Sequence, residues 1–348
     1  MRVAILSHKI PFVSGGAELL ARNLARAVEQ AGHEAALIEP PLKWYPPAVL
    51  YDAVLAALLT DLSEANGIAI DRLIGLKFPA YLAPHPNKVL WVIHQHREAY
   101  DLWDRGEGAL ANSPGGAAAK AMVEACDAAA FAEAQAVYGI AGTVSERIAR
   151  YNGVAAEALY SPPDGAADFY SAPAEDFLFF PSRLSALKRQ DLALDALRRT
   201  RNPVKLAFAG VPDTPQEGDR LARLTEDYGL AERVTWHGAV SHAAKCALYA
   251  RCLGVVYPPR DEDYGYVTLE AMLAHKPVIT TSDSGGPTEF VRDGETGLIA
   301  APDAAALAGA MDRLWADRAA AARLGEAGRQ RYAEMPIGWP AIVERLLA

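Results

Sequence analysis

The stretch Gly254-Val-Val-Tyr257-Pro-Pro-Arg-Asp-Glu262-Asp-Tyr-Gly265-Tyr-Val-Thr-Leu-Glu270 runs on through His275 to Pro277-Val-Ile-Thr-Thr281, and its reading decides the fold. Residues 254–257 and 277–281 are short apolar runs of the kind that form buried parallel strands. Between them, 267–275 reads as a helix. Working outward, the same alternation continues in both directions. Further strands are expected at 177–180, 204–209, 234–237 and 297–300, and helices at 191–199, 216–228, 242–251 and 303–317. Strands alternating with helices at this spacing imply a doubly wound parallel sheet, whose ligands gather at the carboxyl ends of its strands.

Upstream of this half, Ser161-Pro-Pro-Asp-Gly-Ala-Ala-Asp-Phe-Tyr-Ser-Ala-Pro173 is dense in proline, glycine and alanine and reads as a linker. The first half also opens strand–loop–helix. Residues 3–6 form an apolar strand, Ser14-Gly15-Gly16 a loop, and Leu20, Leu24, Ala27, Val28 and Ala31 repeat on one helix face until Gly32. Strands are expected at 34–38, 72–76 and 89–93, the last running into His94-Gln-His96, with helices near 48–62 and 117–138. The expected organisation is therefore two Rossmann-like domains, 1–165 and 166–335. The segment 336–348 is read as a last helix that returns to the first domain.

Within the second half, Glu262 and Glu270 stand eight positions apart across a glycine turn, one on a loop and one on a helix. Carboxylates accept sugar hydroxyls. The turn at Tyr264-Gly265-Tyr266 points backbone N–H groups at a helix N-terminus, which suits a phosphate. Arg183 and Lys188 follow the first strand of this half, where two cations can neutralise a diphosphate.

Composition narrows the function classes. The chain has 348 residues, 51% hydrophobic, with a net charge of −9. Residues 1–175 carry 13 Lys and Arg against 20 Asp and Glu, and residues 176–348 carry 21 against 23. Such a balance, without a basic block, argues against nucleic-acid binding. Cys126, Cys246 and Cys252 form no Cys-x-x-Cys pair, which argues against a zinc site or a disulfide framework. No signal peptide is recognisable and no apolar run reaches the ~18 residues of a membrane span. A cytoplasmic protein is expected, with peripheral attachment to the inner face of the membrane left open.

The ordered set of Arg183, Lys188, Glu262-x7-Glu270, Pro277-Val-Ile, Ser284-Gly-Gly-Pro-Thr-Glu289 and Gly294-Glu-Thr-Gly297 resembles the family 4 retaining glycosyltransferases of the GT-B fold. In the first half, Gly15-Gly16-Ala-Glu18 and Ala31-Gly-His33-Glu are similar to that family's glycine-rich loop and first helix. The resemblance implies two doubly wound domains facing a central cleft. It also implies transfer of a hexosyl-type group from a nucleotide-diphosphate sugar, in glycan or cell-surface polysaccharide biosynthesis. By the same resemblance Glu270 binds ribose hydroxyls and Glu262 donor-sugar hydroxyls. The amides of Tyr266 and Val267, next to Gly265, hold the distal phosphate, and Arg183 and Lys188 stabilise the leaving diphosphate. Val240 lines the base, and Gly15 and Gly16 approach the donor from the first domain. His94 matches the family's active-site histidine. His96 is its rival, since strand alternation lets only one of the two face the cleft. One departure is Arg189-Gln190, where many members have glycine after the lysine.

On the acceptor side, Arg97, Tyr100 and Trp103 form an aromatic and charged segment suited to a saccharide, with a short helix that places both Tyr100 and Trp103 in the core as the alternative. The acceptor is open between a saccharide, a lipid-linked saccharide and a small molecule. No cofactor or metal is implied, and Asp261-Glu-Asp263 reads as the flank of Glu262 rather than a metal motif. The alternatives on the same fold are a nucleotide-sugar 2-epimerase, a phosphorylase, or a non-catalytic nucleotide-sugar-binding module. Ser14-Gly-Gly is no dinucleotide fingerprint, and no Walker, Gly-x-Ser-x-Gly or His-Glu-x-x-His sequence occurs.

Overall fold

The computed structural model describes residues 1–12 and 15–348. The chain divides into two compact units, Met1–Asp164 with Pro336–Ala348, and Gly165–Met335. The first unit contains β1 (Arg2–Leu6), β2 (Glu34–Ile38), β3 (Glu64–Ala65), β4 (Ile68–Ala69), β5 (Arg72–Lys77), β6 (Lys88–His94), β7 (Ala136–Gly139) and β8 (Glu157–Ala158). Six of these form a parallel sheet in the order β2-β1-β5-β6-β7-β8. All of β5 and nearly all of β6 are buried, as central strands covered on both faces should be. The strand order reverses between β1 and β5, which makes that gap the sheet's topological switch point.

Local sequence explains most of the surrounding elements. The helix Gly16–Gln30 buries Leu20, Leu24, Ala27 and Val28 on one face, as its periodicity predicts. The helix Gly142–Asn152 ends at Gly153, which takes the left-handed conformation at φ 67°. The helix Trp339–Leu347 lies in the first unit. There Trp339 meets the fully buried Trp91 edge-on at 6.1 Å, and Arg72 donates to the carbonyl oxygens of Leu347 at 3.3 Å and Ala348 at 2.6 Å.

Two local expectations fail here for identifiable reasons. The alanine-rich segment is helical only over Gly116–Glu133, and Ala136–Gly139 is instead β7, paired with Val89–Val92 of β6. Tertiary ladder bonds there override alanine's helix propensity. The helix expected to reach residue 62 stops at Leu58, and the chain then turns back as the β3–β4 hairpin. Its corner is Asn66-Gly67, both at positive φ, a strong hairpin signal that the apolar reading passed over.

The second unit holds β9 (Leu178–Pro181), β10 (Leu206–Ala209), β11 (Val234–Trp236), β12 (Gly254–Val256), β13 (Val278–Thr281) and β14 (Gly297–Ala300). All are parallel, in the order β11-β10-β9-β12-β13-β14. Ranked by sequence this is 3-2-1-4-5-6, the doubly wound Rossmann order, with its switch point between β9 and β12. Phe179, Phe180, Leu194, Val255, Ile279 and Met311 are completely buried in its core, each side chain contributing about 1.5–3 kcal/mol. After the helix Ala304–Ala316, Asp317 caps a further helix, Arg318–Glu334, by accepting from Ala320 N–H at 2.8 Å. No assignment for that helix came from sequence. Among the described residues, no helix is long and apolar enough to cross a membrane.

Candidate functional site

The loops after β9 and β12 flank the second sheet's switch point, and they carry Arg183, Lys188 and Glu262. Lys188 lies in the turn ahead of the helix Gln190–Leu197. Its ammonium donates to Glu262 Oε2 and, at 3.1 Å, to the hydroxyl of Tyr257. Burial alone disfavours the charged lysine, but the Glu262 carboxylate outweighs it and raises its pKa above the ordinary lysine value. Lys188 therefore carries its charge at any working pH. The Tyr257 phenol is raised as well, first by burial and then by Glu262.

Backbone pairing fixes where Glu262 sits. Its N–H donates to Ser284 O at 2.9 Å, and its carbonyl accepts from Gly286 N–H at 2.8 Å. The two glycines are sterically required. A Cβ on Gly285, itself at φ 71°, would lie 2.6 Å from Glu262 O, and one on Gly286 would lie 2.4 Å from Tyr264 O. Arg189, the departure from the family pattern, has a clear task. Its guanidinium donates to the carbonyls of Pro258 and Pro259 at 2.8 and 2.6 Å and forks onto Asp283 at 2.7 and 3.0 Å. It ties the loop after β12 to the loop after β13.

Glu270 belongs to the helix Tyr266–Leu273, is 8% exposed, and has both oxygens engaged. Oε1 accepts from Lys245 Nζ at 2.6 Å and Oε2 from the Tyr249 hydroxyl at 2.7 Å. Each glutamate thus has an ion pair of its own, Lys188–Glu262 and Lys245–Glu270. Lys245 and Tyr249 went unnoticed in the sequence. Their only signal is the i, i+4 spacing that puts both on one face of the helix His242–Arg251.

The helix carrying Glu270 has as its N-cap Gly265, φ 88°, which brings no capping side chain of its own. That geometry directs the backbone dipoles of Tyr266 and Val267 toward the loop. Arg183 is placed differently from Lys188. Half-exposed, it donates from Nη1 to Asp213 Oδ1 at 2.5 Å. Val240 is half-buried against the core, one residue ahead of Ser241, which caps the helix His242–Arg251. Among the described residues no group of three or more His, Cys, Asp or Glu side chains could hold a metal ion.

In the first unit, His94 ends β6 and its Nδ1 donates to Gln95 O at 2.7 Å, which puts its proton on that nitrogen. His96 packs its ring 5.5 Å from Phe78, and its Nε2 is buried without a partner. Gly15 caps the helix Gly16–Gln30, its N–H donated to Glu18 Oε2 at 2.8 Å. The Ser14 part of the glycine-rich loop lies outside the described residues. The acceptor-side residues are not alike. Arg97 forks onto Asp101 at 2.5–3.2 Å, Tyr100 is 2% exposed with its hydroxyl on Asp127 at 2.7 Å, and half-buried Trp103 has the Lys120 ammonium 5.9 Å from its ring. Tyr100 is a core residue.

Comparison with known proteins bears on the fold and on the second unit. The family model for glycosyl transferases group 1 matches residues 169–331. The mouse alpha-1,3/1,6-mannosyltransferase ALG2 is 32% identical over 174 residues, 46% of this chain and 42% of that protein. The chain therefore aligns with less than half the length of that relative. Among solved structures, sucrose-phosphate synthase from Thermosynechococcus elongatus superposes with a TM-score of 0.78 at 20% identity, covering 99% of this chain and 97% of the other. Anabaena Alr3699/HepE, in complex with UDP and glucose, gives 0.73 at 17% identity, covering 100% and 98%. The fold is GT-B, and within it residues 169–331 are similar to the glycosyl transferases group 1.

Proposed function

We propose that the chain is a retaining, metal-independent glycosyltransferase. It moves a hexosyl-type group from a nucleotide-diphosphate sugar to a saccharide, lipid-linked saccharide or small-molecule acceptor in glycan biosynthesis. The observation that carries this reading is the Lys188 ammonium, held at the switch point by Tyr257 and by Glu262, four residues ahead of the helix Tyr266–Leu273. An arriving diphosphate exchanges for Glu262 on Lys188, which frees the carboxylate for a sugar hydroxyl. Ribose hydroxyls exchange in the same way for Lys245 and Tyr249 on Glu270. As the sugar–phosphate bond breaks, negative charge grows on the diphosphate, where a fixed cation and oriented amides stabilise it most. With that charge met by protein groups, the chemistry needs no metal. Glu262, once freed, is read as holding a sugar hydroxyl and Glu270 the ribose, so neither is assigned as the nucleophile of a double displacement. The acceptor is read as attacking the face that the phosphate leaves. A neighbour solved with UDP and glucose, and a relative named a mannosyltransferase, support this class of donor. The enzyme is read as cytoplasmic.

The test is a thermal-shift panel of UDP, GDP and ADP and their sugars, followed by transfer assays. One nucleotide series should raise the Tm. Transfer should survive EDTA, and the product should keep the donor's anomeric configuration. A chain stabilised by no nucleotide is not this enzyme. Inversion removes the retaining assignment, and loss in EDTA removes metal independence.

A further inference from the structure

We infer that His8 is a sugar-binding residue, hydrogen-bonding a ligand hydroxyl at the switch point of the first sheet. The inference rests on the glycosyltransferase reading above and adds a residue that neither the motifs nor the resemblance marks.

Strand register carries the geometry. Past Leu6 the chain stays extended beside β2, with Ser7 N–H donating to Ile38 O at 3.1 Å and Lys9 N–H to Pro40 O at 3.0 Å. Leu6 pairs with Gly75 on β5, so two residues further His8 comes level with Lys77. Lys77 in turn pairs with His94 on β6. His8, Lys77 and His94 thus form a row across three adjacent carboxyl ends, and the gap between β1 and β5 is where the strand order reverses. Open α/β sheets bind their ligands at that point.

The chemistry selects the ligand. His8 is 8% exposed, and its Nδ1 is buried with no hydrogen-bond partner, an arrangement that costs stability unless something binds there. His96 Nε2 is in the same condition. Lys77 is committed to Glu18 at 3.0 Å, and Glu18 also holds the Gly15 N–H, so the row's permanent charge is already neutralised. Burial, then the charges of Lys77, His94 and His96, hold His8 down at about 2, and burial with His94 holds His96 at about 4. Both imidazoles are neutral at physiological pH. A neutral imidazole both donates and accepts, which matches a hydroxyl, whereas an anion requires protonated rings. The groups acting on His8 are therefore Lys77, itself paired with Glu18, and His94 and His96, and together they favour an uncharged, hydroxyl-rich ring. That ring is either the donor's sugar or the acceptor's.

The experiment compares the full chain with His8→Phe, which keeps a ring without polar atoms, and His8→Asn, which restores a polar atom near Nδ1. The probes are UDP-glucose, GDP-mannose and ADP-glucose, each beside its free nucleotide. His8→Phe should lose roughly tenfold or more in kcat/KM, with Kd for the free nucleotide unchanged, and His8→Asn should recover part of the loss. A defect already present in acceptor-free donor hydrolysis assigns the hydroxyl to the donor sugar. A defect seen only in transfer assigns it to the acceptor. In parallel, the His8 ring resonances, identified by their loss in His8→Asn, should move with a sugar ligand and stay neutral. Activity within twofold in His8→Phe overturns the proposal. So does a ring that becomes protonated on adding inorganic phosphate, which makes the site an anion site. A chain that binds no nucleotide at all fails the broader functional reading and takes this proposal with it. Tight nucleotide binding with His8 indifferent to every sugar overturns the proposal alone.

Discussion

At the switch point of the second sheet, ion pairs dominate. Lys188 faces Glu262, Lys245 faces Glu270, and Arg189 forks onto Asp283. At the switch point of the first sheet, among the described residues, Lys77 pairs with Glu18 while the imidazoles of His8 and His96 are held neutral by burial. Both sheets are parallel and doubly wound, so the backbone does not account for the difference. Side-chain chemistry does. A crevice of paired charges can trade one ionic partner for another at little desolvation cost, which suits a diphosphate. A crevice of neutral imidazoles has little Coulomb energy to offer and suits hydroxyls.

The sharpest way to break this contrast is Lys188→Met. It removes the cation on which the developing charge depends and strands Glu262 without its counter-charge. Turnover should fall on the order of 10³-fold, about 4 kcal/mol, in steady-state donor consumption. A loss below tenfold makes the pair structural.

A second test concerns the first unit. Asp127 is fully buried, with Tyr81 and Tyr100 donating to its two oxygens at 2.7 Å each. Burial pushes its carboxyl from 3.8 up to about 7. Because the folded value is raised, its stabilising contribution is complete below about pH 4 and is lost as pH climbs through 7. The unfolding free energy of the native chain from urea titration should therefore drop, relative to that of Asp127→Asn, between pH 5 and pH 8, by a few kcal/mol in all. Parallel curves would mean that the carboxylate is solvated.

The smallest expected effect separates the two glutamates. Glu270→Ala should weaken nucleotide binding by roughly 2 kcal/mol, about thirtyfold in calorimetry. Glu262→Ala should keep nucleotide affinity and lose turnover. Equal nucleotide binding and full activity in both variants would dissolve the distinction between the two ion pairs.

The parts of this chain legible in its sequence are those in which one segment suffices. Glu262, Gly265 and Glu270 stand on a single loop and helix, and the alternation of 254–281 carries its own fold assignment. What stayed hidden depends on distant segments. Lys245 and Tyr249 reach Glu270 from 25 and 21 residues away, on another helix. Strand β7 exists because β6 offers a ladder, against the local alanine bias. His8 looks like the polar end of an apolar run until the register sets it level with Lys77. The consequence of replacing glycine by Arg189 was likewise invisible, since its partners Pro258, Pro259 and Asp283 come from loops after two other strands.

The helix Trp339–Leu347 belongs to the first unit although all of Gly165–Met335 comes before it in the chain. A ribosome adding about 5–20 residues per second needs on the order of ten seconds or more to deliver that intervening stretch. Throughout that interval the seat for Ile342, Val343 and Leu346 is uncovered on the nascent protein. The second unit, contiguous in the chain, can finish folding first. Of the two units, the one begun first is thus the second to be completed.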